Sequence, residues 1–365
     1  MLTGMKVLVG LSGGVDSSVT ALLLKEKGYD VTGATMRLWR DGRYRGGTRD
    51  ACFGPGEEQD VEAAADLCAR LGIPYRTFDC ADTYERLVIE PYRKAFLSGR
   101  TPNPCVCCNQ ALKFGALPDL ARAEGIDFDA FATGHYARVE RCADGRMHLL
   151  KAVESRRDQS YFLYRLSQEQ LARQLFPLGS LSKDEVRRIA REHGLDAVAE
   201  KPDSQDFYSG DRNELIGCPD RPGDIVDESG RVLGRHTGFW KFTIGQRKGL
   251  GIGGAGDPLF VIDVNACANR VVVGRREAGI HRALIATECN WVSRAAPRPG
   301  ETFECAVKVR SQGNVAPACF VTAREDGSVR AVFPDGLFGV APGQSAVFYD
   351  GETLLGGGFI LSSEA

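Results

Sequence analysis

Short apolar runs alternate with segments of helical spacing through the first 140 residues. Four runs, rich in Val, Leu, Phe and Tyr, are typical of buried strands: 5–11, 31–38, 75–80 and 128–133. In four other stretches, apolar residues recur every three or four positions, as in helices: 16–27, 56–71, 83–97 and 109–124. Strands that alternate with helices of this length predict a parallel, Rossmann-like sheet with helices on both faces.

The pattern changes twice farther along the chain. Residues 155–200 are mainly helical in pattern, and 181–193 has a complete start signal, with Ser182 as cap and Glu185 closing a capping box. Beyond about residue 209, short β-rich runs separated by turn-like stretches predict an all-β part, a barrel or a sandwich. We therefore expect domains at 1–208, with a helical portion at about 140–208, at 209–276 and at 277–365.

Composition narrows the class of protein. Hydrophobic residues make up 43% and charged residues 26% of the 365 residues, which suits large apolar cores. No apolar run approaches the roughly 18 residues of a membrane span, and the N-terminus lacks the pattern of a signal peptide. The twelve cysteines are then expected to be mostly free thiols in a reducing, cytoplasmic environment.

The net charge of −2 excludes a polycation, so any contact with nucleic acid must come from local patches. Residues 151–191 form one candidate, with nine Lys or Arg against five Asp or Glu. A solvated helix face would have the same composition.

A glycine-rich turn between the first strand and the first helix is the strongest local signal. It comprises Gly10, Leu11, Ser12, Gly13, Gly14, Val15, Asp16, Ser17 and Ser18. Glycines let the backbone approach an anion, the N–H groups of a helix N-terminus point at it, and the serine hydroxyls add donors. Asp16 is unusual beside a phosphate unless it holds a cation, for which Mg²⁺ is the expectation. The turn resembles the SGGxDS loop of the PP-loop ATP pyrophosphatases, which split ATP into AMP and pyrophosphate.

A second segment indicates which family of PP-loop enzymes the chain resembles. Residues 99–109, GRTPNPCVCCN, with KFG at 113–115, look like the corresponding segment of the tRNA-specific 2-thiouridylases. Other segments agree in the same order: ATGHYAR at 132–138, RDQSYFL at 157–163, KPDSQD at 201–206, TIGQRKGL at 243–250, PGQ at 342–344 and GGG at 356–358. The resemblance covers nearly the whole chain.

The resemblance implies a PP-loop domain, a small central β-rich domain and a C-terminal β-barrel. It implies that AMP is attached to the C2 oxygen of the wobble uridine, position 34, of the tRNAs for Lys, Glu and Gln, and that sulfur then replaces this oxygen. The expected ATP contacts are residues 10–17 with Met36 and Gly134. The expected contacts with the target base are Asn103, Pro104 and Cys105, and those with the rest of the tRNA are Arg157, Asp158, Gln159, Arg310 and Ser311.

Cys108 takes the position of the nucleophilic cysteine in that family. We expect it to stand immediately before a helix that starts at Asn109, because a helix N-terminus lowers the pKa of a thiol. Cys105 and Cys108 could also be half of a zinc site, but no second pair follows at suitable spacing.

The chain departs from the family pattern in its sulfur-handling residues. The family has a second cysteine shortly after KPDSQ, where this chain has Tyr208, and the nearest cysteine is Cys218. Three interpretations follow. Cys105 or Cys107 acts as the second thiol; a [4Fe–4S] cluster held by Cys105, Cys108 and Cys218 carries the sulfur; or the chain binds ATP and tRNA without transferring sulfur. The source of the sulfur, a donor protein or sulfide, is not specified by the sequence.

Overall fold

The structure is a computed structural model that describes residues 4–46, 51–203, 207–208, 210–253, 257–313 and 315–364. Close contacts divide the chain into two compact units. The first comprises 1–88, 104–211 and 352–354, and the second comprises 89–103, 212–351 and 355–365. Within the described ranges, no helix is both long enough and apolar enough to cross a lipid bilayer.

A parallel sheet forms the centre of the first unit. The strands of this unit up to residue 175 are β1 (Lys6–Gly10), β2 (Asp30–Arg37), β3 (Tyr75–Asp79), β4 (Ala130–Ala132), β5 (Ala137–Arg141), β6 (Met147–Lys151) and β7 (Gln174–Leu175). The sheet order is β3-β2-β1-β4-β7, and Val7 pairs in parallel with Val31 on one side and Ala130 on the other. The apolar residues of β1 are buried because helices cover both faces. This confirms the predicted Rossmann-like class.

Helices connect and cover these strands. The helices up to residue 199 are α1 (Val15–Glu26), α2 (Glu57–Leu71), α3 (Ala81–Tyr84), α4 (Glu90–Leu97), α5 (Pro104–Cys107), α6 (Leu117–Ala123), α7 (Gln168–Ala172), α8 (Lys183–Glu192) and α9 (Asp196–Ala199). Of these, α4 belongs to the second unit and the others to the first. Val19, Leu67 and Val186 place α1, α2 and α8 in one apolar core. The predicted capping box of α8 is confirmed, since Ser182 and Glu185 bond each other's backbone N–H groups.

Two π-helical segments interrupt the regular helices. Glu85–Ile89 joins α3 to α4, and Cys108–Ala116 joins α5 to α6. Such segments are rare and occur frequently at functional sites. The second one begins at the predicted nucleophile.

The second unit is mainly β-structure. It contains the short helix α10 (Arg212–Ile216) and a four-stranded sheet of order β10-β11-β8-β9. The strands from residue 223 onward are β8 (Gly223–Val226), β9 (Val232–His236), β10 (Phe260–Asn265), β11 (Arg270–Gly274), β12 (Ile280–Trp291), β13 (Thr302–Lys308), β14 (Ala316–Ala323), β15 (Val329–Phe338), β16 (Ser345–Asp350) and β17 (Thr353–Glu364).

The last six strands form a closed antiparallel barrel. Their order is β12-β15-β14-β13-β16-β17, and β17 pairs back with β12, as in the pair Trp291 and Gly356. Closure removes the exposed edges of the sheet, and Leu284, Val307 and Phe348 are among the residues that fill its interior. Of the two β architectures that the sequence left open, the barrel is the one formed.

Candidate active site

The glycine turn is held by β2 and by the start of α1. The Leu11 N–H donates to the Ala34 carbonyl at 2.8 Å, and the Thr35 hydroxyl donates to the Leu11 carbonyl at 2.9 Å. Gly13 has a φ of 67°, and a Cβ there would lie 2.6 Å from the Asp60 carbonyl oxygen. No side chain caps α1 after Gly14. The turn is therefore an open helix N-terminus of the kind that binds anions.

The serines of the turn differ in role. The Ser17 and Ser18 hydroxyls donate to the Gly14 carbonyl at 3.1 and 2.9 Å, and both side chains are buried. Ser17 also lines the cavity in front of the turn, whereas Ser18 does not. The Ser18 hydroxyl therefore stabilises the turn and is not offered to a ligand, contrary to the sequence prediction. The Ser12 hydroxyl lies 3.3 Å from that of Ser17, at the wall of a cavity.

A cavity of about 380 Å³ opens in front of this turn, entirely within the first unit. Its volume is in the range of small-molecule sites. Of the predicted ATP contacts, it is lined by Gly10, Leu11, Ser12, Gly14, Val15, Asp16, Ser17, Met36 and Gly134. Gly134 is tightly placed, because a Cβ there would lie 2.8 Å from backbone atoms of Asp16 and Ser17.

Asp16 belongs to a network of charges that the sequence did not predict. Its carboxylate accepts hydrogen bonds from the Lys183 ammonium at 2.8 and 2.9 Å and from the Tyr136 hydroxyl at 2.8 Å. Lys183 is only 4% exposed and also pairs with Asp203 at 2.6 Å. Arg157 reaches the other oxygen of Asp203 at 2.6 Å. A buried cation thus lies directly behind the glycine turn, which lacks a lysine of its own.

The pKa of Asp203 reflects this network. Burial would raise it, but the hydrogen bond and charge of Lys183, followed by those of Arg157, hold the pKa below its ordinary value. Lys201 pairs with Asp60 and approaches the Gly13 carbonyl at 3.2 Å. Residues 204–206 of the same motif lie outside the described residues.

Cys108 lines the same cavity as the glycine turn, but its position in the helix differs from the prediction. The helix begins at Pro104, not at Asn109, so Cys108 lies one turn inside it. Pro104 occupies the first helical position, where the absence of an N–H costs nothing. The expected lowering of the thiol pKa by a helix N-terminus is therefore wrong for Cys108.

Burial raises the pKa of the Cys108 thiol to about 11, against an opposing effect of Lys113. Burial in turn lowers the pKa of Lys113, but the neighbouring thiolates of Cys108, Cys52 and Cys105 outweigh it and leave that pKa raised. Cys108 and Lys113 both line the cavity, and the Lys113 ammonium favours the thiolate form of Cys108. The sequence marks Lys113 only as the first residue of the KFG motif at 113–115.

His135 also faces this cavity and is uncharged. Burial and the Lys113 ammonium together hold its pKa well below the ordinary value. Its Nδ1 lies 2.7 Å from the Thr133 hydroxyl. The ring can therefore exchange hydrogen bonds at neutral pH but carries no charge there.

Three family models cover most of the chain. A tRNA methyl transferase HUP domain matches residues 5–208, a tRNA methyl transferase PRC-barrel domain matches 217–275, and an aminomethyltransferase beta-barrel domain matches 281–360. A curated relative from Endomicrobium trichonymphae, named tRNA-specific 2-thiouridylase MnmA, is 46% identical over 99% of this chain and 100% of its own length. The chain belongs to the tRNA-specific 2-thiouridylase family.

Other relatives with the same name agree in extent. The protein from Chloroflexus aggregans is 45% identical over 98% of this chain and 99% of its own, and that from Geotalea uraniireducens is 43% identical over 97% and 94%. Among solved structures, a 4-thiouridine synthetase–RNA complex with bound ATP is a distant likeness, with 16% identity, a TM-score of 0.35 and coverage of 58% of this chain and 45% of that one.

Tyr208, at the place of the second cysteine expected for the family, is a packing residue. Its ring is 8% exposed and lies 6.0 Å from that of Phe53. Phe53 in turn contacts the rings of Trp39 and Tyr84. Tyr208 therefore completes an aromatic cluster beside the cavity.

The other cysteines of the segment flank Cys108. Cys105 lies in the first turn of the helix and lines the cavity, whereas Cys107 is not part of the cavity lining. Cys218 belongs to the second unit. Over the ranges that the structure describes, no three His, Cys, Asp or Glu side chains form a group that could hold a metal ion.

The predicted tRNA contacts of the first unit have different surroundings. Arg157 and Gln159 line the cavity, as does Pro104, and Gln159 accepts a hydrogen bond from the Tyr136 N–H at 2.9 Å. Asp158 is engaged within its own loop, where it accepts from the Ala152 and Ser160 N–H groups and from the Ser160 hydroxyl. Its carboxylate therefore stabilises the loop that contains Arg157 and Gln159.

In the second unit, Arg310 donates to the Gly339 carbonyl at 2.9 Å and also to the Ile244 carbonyl. It thereby ties the start of the glycine-rich loop 243–253 to the barrel. Ser311 follows in a partly exposed turn, and Asn103 is 9% exposed. In the basic stretch 151–191, Lys183 is buried and Arg157 and Arg187 pair with Asp203, so part of its charge is neutralised internally.

Proposed function

We propose that the chain is an ATP-dependent tRNA 2-thiouridylase. It attaches AMP to the C2 oxygen of the wobble uridine at position 34 in the tRNAs for Lys, Glu and Gln, and it replaces this oxygen with sulfur to give 2-thiouridine, AMP and pyrophosphate. One observation carries the proposal: the glycine turn and the Cys108 thiol line a single cavity within the first unit.

The activation step follows from the chemistry of the leaving group. The C2 oxygen of uridine leaves poorly, and adenylation converts it into part of a phosphate ester. The N–H groups at the start of α1 stabilise the departing pyrophosphate, and Lys183, 2.8 Å from Asp16, supplies the cation that a Walker-type lysine would otherwise provide. Cavity walls formed by Met36 and Gly134 hold the rest of the nucleotide.

Magnesium fits this site only as an ion shared with the phosphates. Both oxygens of Asp16 are engaged by Lys183, and Asp60 and Asp203 are each paired with a cation. Glu57, the remaining carboxylate among the described residues of the cavity wall, accepts from the Leu38 and Trp39 N–H groups. Asp16 is therefore the carboxylate of the glycine turn that an ion could share with the phosphates. Mg²⁺ is commonly held by one or two carboxylates together with substrate phosphates, and in that arrangement Asp16 would hold the ion, which would neutralise phosphate charge.

Sulfur transfer is assigned to Cys108. A persulfide on this thiol places its outer sulfur in the cavity, where it attacks C2 as AMP leaves. Lys113 opposes the rise in the pKa of the Cys108 thiol, so an anionic sulfur there is stabilised by a neighbouring ammonium. Cys105, Pro104 and Asn103 are proposed to contact the target base, and Arg157, Asp158, Gln159, Arg310 and Ser311 to position the tRNA.

The test is analysis of tRNA nucleosides by mass spectrometry after incubation with ATP, Mg²⁺, a persulfide donor and an unmodified tRNA for Lys. We expect 2-thiouridine with the wild-type chain and none with Cys108→Ala, while ATP binding and pyrophosphate release persist. The matched control is Cys267→Ser, an exposed cysteine of the second unit. If the wild-type chain binds ATP and tRNA but yields no 2-thiouridine, the chain is a binding protein and the proposal is wrong.

The same preparation distinguishes the two sulfur routes. The persulfide route predicts no iron and one transferable sulfur for each Cys108 thiol. If anaerobically purified protein contained iron and sulfide, and lost both in Cys105→Ser and Cys218→Ser variants, the [4Fe–4S] interpretation would replace the persulfide.

A further inference from the structure

Cys52 is an exposed thiol that lines the same cavity as Cys108. It stands in the loop before α2, far from Cys108 in the sequence, and no motif singled it out. The structure places the two thiols, together with Lys113, in the lining of one cavity. Burial raises the pKa of Cys108, and the charge of a Cys52 thiolate raises it further, more than that of the adjacent Cys107 does.

The segment that carries Cys52 is attached to the segment where the family's second cysteine is expected. The Phe53 N–H donates to the Phe207 carbonyl at 2.9 Å, and the Phe53 ring packs against those of Tyr84 and Tyr208, at 4.8 and 6.0 Å between centroids. Phe53 is 3% exposed, so this anchor is fixed in the core. Cys52 is thereby held beside Phe207 at the cavity wall. The next residue, Tyr208, stands where the family's second cysteine is expected.

The neighbours of Cys108 on its own helix are poorer partners. Side chains at adjacent helical positions point in different directions, which excludes Cys107. Cys105 is three positions away, and Cβ atoms at that spacing are about 5–6 Å apart, whereas a disulfide needs about 3.5–4.5 Å. A bond between Cys105 and Cys108 would therefore require the backbone to shift where α5 meets the π-helical segment, whereas Cys52 lies on a separate segment.

We propose that Cys52 is the second thiol of the sulfur transfer, in place of the cysteine that this chain lacks at Tyr208. The inference rests on the proposed function. A persulfide donor, RS–SH, exchanges with the Cys108 thiol to give the Cys108 persulfide and RSH. The outer sulfur attacks the adenylated C2, a C–S bond forms, the C–O bond breaks, and AMP leaves with the electron pair.

The uridine is then joined to Cys108 through a disulfide. The Cys52 thiolate, having lost its proton to solvent, attacks the Cys108 Sγ. The S–S bond to the uridine sulfur breaks, its electron pair passes to that sulfur, and the product leaves as the thiocarbonyl. One sulfane sulfur is reduced and two thiols are oxidised to a Cys52–Cys108 disulfide, which a dithiol reductant must reduce before the next cycle.

The first experiment needs no tRNA. The full-length chain is treated with a thiol-oxidising diazene such as diamide, alkylated, digested and examined by mass spectrometry under non-reducing conditions. We expect a cross-link between the Cys52 and Cys108 peptides as the first disulfide formed, and none involving Cys267. If Cys105 joined Cys108 first, or if Cys52 stayed fully alkylatable, the pairing would be wrong.

The second experiment follows a single turnover without reductant, with ATP, tRNA and a small-molecule persulfide. We expect Cys52→Ser to form AMP at the wild-type rate but to trap tRNA on the enzyme as an adduct that migrates with the protein on a non-reducing gel. Dithiothreitol should release 2-thiouridine from it, which a merely structural role would not explain. The control Cys267→Ser, at an exposed cysteine of the second unit, should release product normally.

Release of free 2-thiouridine by Cys52→Ser at the wild-type rate without reductant overturns the role of Cys52 but leaves the proposed function intact. A wild-type chain that forms the Cys52–Cys108 disulfide yet yields no 2-thiouridine overturns the function, and with it the role in transfer.

Discussion

Replacing Lys183 by Met tests the charge network behind the glycine turn. The Lys183 ammonium is 4% exposed and lies 2.8 Å from Asp16 and 2.6 Å from Asp203, whose side chains are 32% and 20% exposed. Methionine has a similar length but no charge. The substitution therefore leaves two partly buried carboxylates without their shared cation, while Arg157 still pairs with one of them.

Removal of one partner from a buried ion pair costs about 3–5 kcal/mol. Because Asp16 faces an open cavity and Asp203 keeps Arg157, we expect the lower end, about 3 kcal/mol. In a domain of 150–250 residues each kcal/mol shifts Tm by about 2–4 °C, so the transition of the first unit should fall by about 6–12 °C. This expected fall applies at neutral pH.

The pH dependence has a definite sign. The pKa of Asp203 is held below its ordinary value in the folded chain, so its contribution is present above the unfolded pKa and is lost as pH falls through the folded one. Above the unfolded pKa, which is about 3.9, wild type should exceed Lys183→Met in stability. The two should converge as the pH falls below it.

Calorimetry of the full chain, repeated down a pH series, measures this difference. Lys25→Met is the matched control, since Lys25 is exposed near the end of α1, and its Tm should stay within about 1 °C of wild type. Adding Asp203→Asn to Lys183→Met should recover part of the loss. An unchanged Tm for Lys183→Met at neutral pH would refute the reasoning, because it would mean that the ammonium does not stabilise these carboxylates.

Three further substitutions test single features of the site. Lys113→Met should slow alkylation of Cys108 by iodoacetamide at pH 8 by about three- to tenfold, the effect of up to one pK unit; an equal rate would show that the ammonium does not act on the thiol. Gly134→Ala should weaken ATP binding by at least about tenfold, or 1.4 kcal/mol, in titration calorimetry, because its Cβ meets the glycine turn at 2.8 Å, whereas Gly253→Ala, with open space around it, should not. Asp158→Ala should destabilise the chain by about 1–3 kcal/mol in urea unfolding, since it removes the acceptor of two backbone N–H groups; a loss of tRNA affinity at unchanged stability would instead make it a direct contact.

Features determined by neighbours in the sequence were predictable. The strand before Gly10, the open N-terminus of α1 and the capping box of α8 follow from apolar runs, glycines and a Ser–Glu pair, and all three are present. The start of the helix at Pro104 was missed because the two prolines of the segment 101–104 resemble a loop. A proline at the first helical position has the same local signature as one that precedes a helix.

Features determined by tertiary contacts were not predictable from spacing. Lys183 acts on Asp16 from a helix far along the chain, and its role was hidden in a stretch that resembled a basic surface. The cavity itself, which decides which thiols can meet, exists only after the strands have assembled.

The altered sulfur-handling residues can be explained together once these positions are known. Position 208 and Cys52 lie on two segments that contact each other, because Phe53 and Tyr208 pack together and the Phe53 N–H bonds to the Phe207 carbonyl. If Cys52 supplies the second thiol, position 208 is free to take a large ring, which buries against Phe53 and fixes the segment that carries Cys52. Tyr208→Cys should then restore disulfide formation with Cys108 in a Cys52→Ser chain. If the double variant folded as stably as Cys52→Ser but still trapped the tRNA adduct, a thiol at position 208 would not replace that of Cys52, and this explanation would be wrong.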